Sequence, residues 1–178
     1  MFLLLGNLQA KSQTLPVMTD TAIHISELLD IKPYAVRIAK NPVNNSLYYA
    51  TFDGNIYRIK KTGSFYSDTL IATAANHNIN YLQSIIFNDS NIYLIGNRKF
   101  TGIPGYGLIM RGKYQASGNW IWDTLMHTAS YPSTATLYDH AFSSICLSAN
   151  KDTLYFSSGS RTDHGEVQTS AGLFPNKR

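Results

Sequence analysis

Three stretches of this chain share one layout: an apolar run, a polar turn, then a second run carrying Leu-Tyr or Ile-Tyr and leading to a glycine-containing connection. They are Val36-Arg37-Ile38-Ala39 with Ser46-Leu47-Tyr48-Tyr49-Ala50, Ser84-Ile85-Ile86-Phe87 with Asn91-Ile92-Tyr93-Leu94-Ile95-Gly96, and Ile145-Cys146-Leu147 with Thr153-Leu154-Tyr155-Phe156-Ser157. The tyrosines at 48, 93 and 155 are separated by 45 and 62 residues. Propeller blades of four strands recur at roughly 40–50 residues, so the spacing predicts successive blades with an insertion in the second unit. A repeating unit of this kind buries its apolar faces against its neighbours, which makes stacking the central demand on the fold.

Two units fill out to four strands each. The first adds Gly54-Asn55-Ile56-Tyr57-Arg58-Ile59 and Thr69-Leu70-Ile71-Ala72, and the second adds Gly107-Leu108-Ile109-Met110-Arg111 and Trp120-Ile121-Trp122-Asp123-Thr124-Leu125. Turn signals separate the runs at Asn41-Pro42, Asp53-Gly54, Thr62-Gly63, Asn88-Asp89, 102–107, Ser117-Gly118 and 150–152. Helical periodicity is confined to 21–29, where Ile23, Leu28 and Leu29 are the apolar positions. The expected class is all-β, a partial β-propeller of about two and a half four-stranded antiparallel blades. A ring needs about 4–8 blades to protect its edges, so the expectation is the N-terminal part of a longer propeller, spanning 14–178, whose exposed edge favours aggregation in isolation.

Composition narrows the remaining classes. Of the 178 residues 44% are hydrophobic and 15% charged, with 12 Tyr and 8 Phe, which is enough apolar material for a core and argues against disorder. The formal charge of +4 is spread out, with no basic run longer than Lys60-Lys61, so no nucleic-acid partner is expected. No stretch approaches the roughly 18–20 apolar residues that span a membrane. The single Cys146 excludes an internal disulfide framework, and its place in Ile145-Cys146-Leu147 predicts a buried, inert thiol. Residues 1–13 join the apolar Met1-Phe2-Leu3-Leu4-Leu5 to Ala10-Lys11-Ser12. They read either as the end of a secretory signal whose basic start lies upstream or as a plain apolar terminus. The first reading, the one adopted as the expectation, makes the protein periplasmic or extracellular.

Chemistry-bearing residues gather in two places. The histidines at 24, 77, 127, 140 and 164 have no metal-ligand spacing. The glycine-rich 102–107 lies between strands with no helix behind it, so it reads as an inter-strand loop and not as a phosphate cradle. Asp139-His140 stands before the first strand of unit three, and Ser158-Gly159-Ser160-Arg161-Thr162-Asp163-His164-Gly165-Glu166 follows its second strand. In a propeller both segments border the central channel on one face. A histidine there serves as general base with a carboxylate to orient it; the plainer reading is a pair of solvated loops closed by Asp and Ser oxygens.

These residues, with the turn Asn150-Lys151-Asp152 between them, resemble the glucose/sorbosone dehydrogenase family of soluble quinoprotein sugar dehydrogenases, as does the strand Asn80-Tyr81-Leu82-Gln83-Ser84-Ile85-Ile86-Phe87. The resemblance implies a six-bladed propeller, pyrroloquinoline quinone (PQQ) as cofactor, often calcium with ligands expected outside this sequence, and a sugar or alcohol substrate. It implies His140 as catalytic base supported by Asp139, with Gln83, Arg161 and His164 as cofactor-contact candidates. Two other readings compete with it. One is a non-catalytic propeller scaffold at the cell surface or in the periplasm, and the other is a lactonase-type hydrolase, which needs metal ligands on several blades.

Overall fold

Alternating apolar residues become strands wherever both faces or one face of the pleat find cover. The computed structural model describes residues 25–100, 103–130 and 142–159, with Thr19 and Ala22. The chain divides into Met1–Asp30 and Ile31–Arg178. In the first unit, residues 25–30 are mostly exposed and form neither helix nor strand. The helix expected over 21–29 therefore does not extend through its described part; three apolar positions in so short a segment bury too little to stabilise one.

In the second unit ten strands are described: β1 (Ala35–Lys40), β2 (Leu47–Thr51), β3 (Ile56–Thr62), β4 (Phe65–Ala72), β5 (Tyr81–Asn88), β6 (Asn91–Phe100), β7 (Ile103–Tyr114), β8 (Trp120–His127), β9 (Phe142–Leu147) and β10 (Leu154–Ser158). They form three antiparallel meanders, β1-β2-β3-β4, β5-β6-β7-β8 and β9-β10. The strands read from sequence in all three units fall within or beside these. Two features differ. A short helix, α1 (Ala74–His77), joins the first two sheets. The stretch 102–107 lies largely in β7, which pairs with β6 as far as Phe100↔Ile103. Strand pairing absorbs residues whose glycines read as a loop, and Gly107 packs so closely on the Phe142 ring that a Cβ there would lie 2.5 Å from it.

The sheets stack through their first strands. β1 and β2 contact β5, and β5 and β6 contact β9. Tyr48, Ala50 and Ile56 of the first sheet pack with Ile85, Phe87, Ile92, Leu94, Leu108 and Met110 of the second. Tyr93, Ile95 and Ile109 point the other way and pack with Phe142 and Ile145 of the third. The unbroken apolar run of β6 thus reflects a sheet covered on both faces.

Each first strand also carries the same irregularity. Register shifts fall between Ala35 and Arg37, between Leu82 and Ser84, and across the β9-β10 pair beside Phe142, so that Val36, Gln83 and Ser143 are the extra residues of three β-bulges near three strand starts. The bulge at Ser143 puts Phe142 on the face of Ile145, toward the second sheet. The expectation for Cys146 is corrected by alternation along β9: next to the inward Ile145, it takes the opposite face across from Tyr155 and is exposed instead of buried.

Two outcomes follow from this packing. A Cβ on Gly112 would lie 2.6 Å from Ile92 Cγ2 and 2.7 Å from the Trp122 ring, so Gly112→Ala should lower stability by about 1–3 kcal/mol, read as a reduced urea midpoint. Cys146 should react with a thiol-disulfide reagent in the native protein, without denaturant, as fast as an unhindered thiol.

Candidate functional site

Antiparallel meanders put the starts of β1, β5 and β9 and the ends of β2 and β6 at one common end. Backbone hydrogen bonds tie that end together: Phe52 N–H donates to Tyr34 O and Leu82 N–H to Phe52 O, both at 2.9 Å. Asn80, just ahead of β5, bonds the backbone of Lys99 in both directions, its Nδ2 donating to Lys99 O and its Oδ1 accepting from Lys99 N–H at 2.9 Å. Asn97 Nδ2 reaches Phe142 O at 3.5 Å, joining the end of β6 to the start of β9.

On this scaffold sits a rim of aromatic and cationic side chains. The Phe52 ring meets Tyr81 edge-on at 4.9 Å, and Lys99 Nζ lies 5.8 Å from the centre of the Tyr81 ring. Arg98 donates to Tyr106 Oη at 2.9 Å and lies over the Phe100 ring. Planar groups with polar edges and anions are the ligands that aromatic faces beside fixed cations hold best.

Gln83, the cofactor candidate on β5, is the bulged residue of its strand and is half-buried. Asp139, His140, Arg161 and His164 lie outside the described residues. Their flanks are described: Phe142, two residues after His140, is paired with Ser158, the last residue of β10. The two segments singled out in sequence thus adjoin the same end of one hairpin, the end that Asn97 touches. No family model, curated protein or solved structure matches the chain. Among the described residues no group of three His, Cys, Asp or Glu side chains is placed to hold a metal ion.

Sequence reasoning overlooked Asn80, Tyr81, Asn97, Arg98 and Lys99 as rim residues. The available signal was the polar triplet Asn97-Arg98-Lys99 ending the apolar run of β6, which marks where the strand leaves the core.

His77 is the described histidine most altered by its surroundings. It is fully buried at the end of α1, with Nε2 2.9 Å from Gly54 O, Nδ1 accepting from Ile79 N–H at 3.3 Å, and the ring edge-on to Trp122 at 5.1 Å. Since Nδ1 accepts, Nε2 carries the proton and donates to Gly54 O. Gly54 sits at φ +90°, and a Cβ there would lie 2.2 Å from Ile79 O, so glycine is required where this turn meets the crossover. His77 is therefore a neutral strut holding the turn after β2, α1 and β8 together, and not a catalytic base. Burial lowers its pKa from 6.5 to about 4.

The unfolded ring binds a proton near pH 6.5 and the folded ring only near pH 4. Stability is thus complete above about pH 6.5 and falls as the pH drops toward 4, by about 3 kcal/mol for this one group. His77→Gln should remove that component: urea midpoints at pH 7 and pH 4.5 should differ much less in the variant than in the parent.

Proposed function

We propose that the three sheets are successive blades of a propeller, that their common end is its functional mouth, and that the protein is an exported quinoprotein dehydrogenase acting on a sugar or alcohol. The observation that carries this reading is the triple bulge. Val36, Gln83 and Ser143 interrupt three equivalent strands near the same end, and bulges of this kind re-aim side chains beside active sites. Asn80 stands three residues before Gln83 as His140 stands three before Ser143, and its side chain reaches the end of β6. A histidine at that position of the third unit would meet a ligand held at the mouth.

PQQ is a planar tricarboxylate. The half-buried amide of Gln83, the cations Arg98 and Lys99, and the aromatic faces of Phe52 and Tyr81 form a donor set of matching chemistry. When bound, the quinone would accept hydride from the substrate carbon. His140 would take the hydroxyl proton and Asp139 would orient the ring and stabilise its charged form, while Arg161 and His164 approach from the segment after β10. Calcium, where it takes part, would draw ligands from outside this sequence. The competing reading is a propeller that only binds, with the same mouth and no turnover.

The test is PQQ reconstitution of the full-length protein followed by aldose-dependent dye reduction. His140→Ala should cut turnover about 10²–10⁴-fold with PQQ affinity nearly unchanged, and Gln83→Ala should weaken PQQ binding at constant fold stability. A parent that binds PQQ but reduces no dye with any aldose or alcohol is a binding propeller; a parent that binds no PQQ overturns the quinoprotein reading altogether.

A further inference from the structure

Away from the mouth, a cleft of about 450 Å³ opens between the outer strands of the first two sheets. One wall is Arg58 on β3, and the other is an aromatic row on β7 and β8. Tyr114 and Trp120 are 5.2 Å apart, Trp120 and Trp122 are 6.1 Å apart with ring planes inclined by 29°, and Trp122 continues to His77. Asn76 and Asn119 add amides to the lining, and Leu70 and Ile71 of β4 an apolar flank.

Arg58 is the unusual member. Its Nε is buried and makes no hydrogen bond. Its cross-strand neighbours, Tyr48 and Thr69, are uncharged. The carboxylate of Asp68 pairs with the next position, Ile59, and so lies on the opposite face, where Tyr49 Oη donates to it. Among the described residues, the only other buried, unpaired Nε, that of Arg111, belongs to a guanidinium already bonded to Asp123 at 2.9 Å. A half-buried guanidinium without a counter-charge among the described residues, facing a cleft with no acidic residue in its lining, is poised for an incoming carboxylate.

The remaining lining indicates what carries that carboxylate. Half-buried Trp120 and Trp122 offer indole faces to an apolar ring face. Asn76 Oδ1 is occupied by Thr73, accepting from its N–H at 2.8 Å, which leaves the Nδ2 donors of Asn76 for a ligand. Amides beside indoles match a pyranose, which has one C–H face and a rim of hydroxyls; a flat aromatic acid would present only C–H edges to them. We infer that this cleft is a binding site for an acidic saccharide, a uronic acid residue whose ring rests on Trp120 and whose carboxylate takes the fork of Arg58. The inference does not depend on the quinoprotein reading, since none of its residues belongs to the mouth.

Titration calorimetry with sodium D-glucuronate, D-glucose and sodium acetate as separate probes tests it. Glucuronate should bind saturably in the millimolar range or tighter and glucose at least tenfold more weakly, with acetate undetectable. Arg58→Met, which keeps the aliphatic stem, should weaken glucuronate at least tenfold at an unchanged urea midpoint, and Arg58→Lys should recover only part of the affinity. Trp120→Ala should weaken it similarly, whereas Gln83→Ala should leave it as in the parent. Absence of glucuronate binding up to about 10 mM, equal affinity for glucose, or unchanged affinity in Arg58→Met each overturns the assignment.

Discussion

The second sheet is apolar on both faces, and most of the architecture answers that condition. Ile92 and Leu94 on one side and Tyr93 and Ile95 on the other cannot all be covered by a single neighbour. Burial of each such side chain is worth roughly 1.5–3 kcal/mol, so leaving either face in water would forfeit much of a small domain's margin of stability. The sheet must therefore lie between two others. That requirement places β5 between β1 and β9, and with it fixes which strand starts and which turns share an end.

The sheets were legible in the chain because their strands announce themselves twice, by alternation and by turn residues at each boundary. Asp53-Gly54, Thr62-Gly63 and Ser117-Gly118 mark true turns, with Gly54, Gly63 and Gly118 at positive φ. What escaped is what depends on packing between units. Cys146 sits in an apolar run, yet it alternates with the inward Ile145 and so faces outward, and which face of a strand gains a neighbouring sheet is not written in the strand itself. The 102–107 stretch reads as a loop by composition, yet from Ile103 on it is held as strand by pairing with β6 at Ile103, Tyr106 and Gly107. α1 is four residues long, too short for periodicity to register, and exists because Thr73 and Asn76 cap it and His77 anchors it.

The candidate site divides in a similar way. Of the residues chosen from sequence, Gln83 falls at a bulge of an inner strand, while Asp139, His140, Arg161 and His164 belong to segments whose flanks, Phe142 and Ser158, meet at the same end. The rim of Phe52, Tyr81 and Lys99 draws on three separate turns and strand ends, separated by up to 47 residues of chain. Nothing short of the sheet register brings them together. Arg58 and Trp120 are likewise distant in sequence, and only the stacking of sheets makes them opposite walls of one cleft.

Strand order has a consequence for how the chain reaches this arrangement. Every sheet is a simple meander of consecutive strands, so its internal pairings are local and can close quickly. During synthesis at about 5–20 residues per second, the first sheet can form while the second is still within the ribosome. The second sheet then docks on a finished template through α1 and the His77 strut. Its other face, with Tyr93, Ile95 and Ile109, stays open until residues 128–141 have been made and β9 emerges, and this interval is when a nascent chain of this design is most dependent on chaperones.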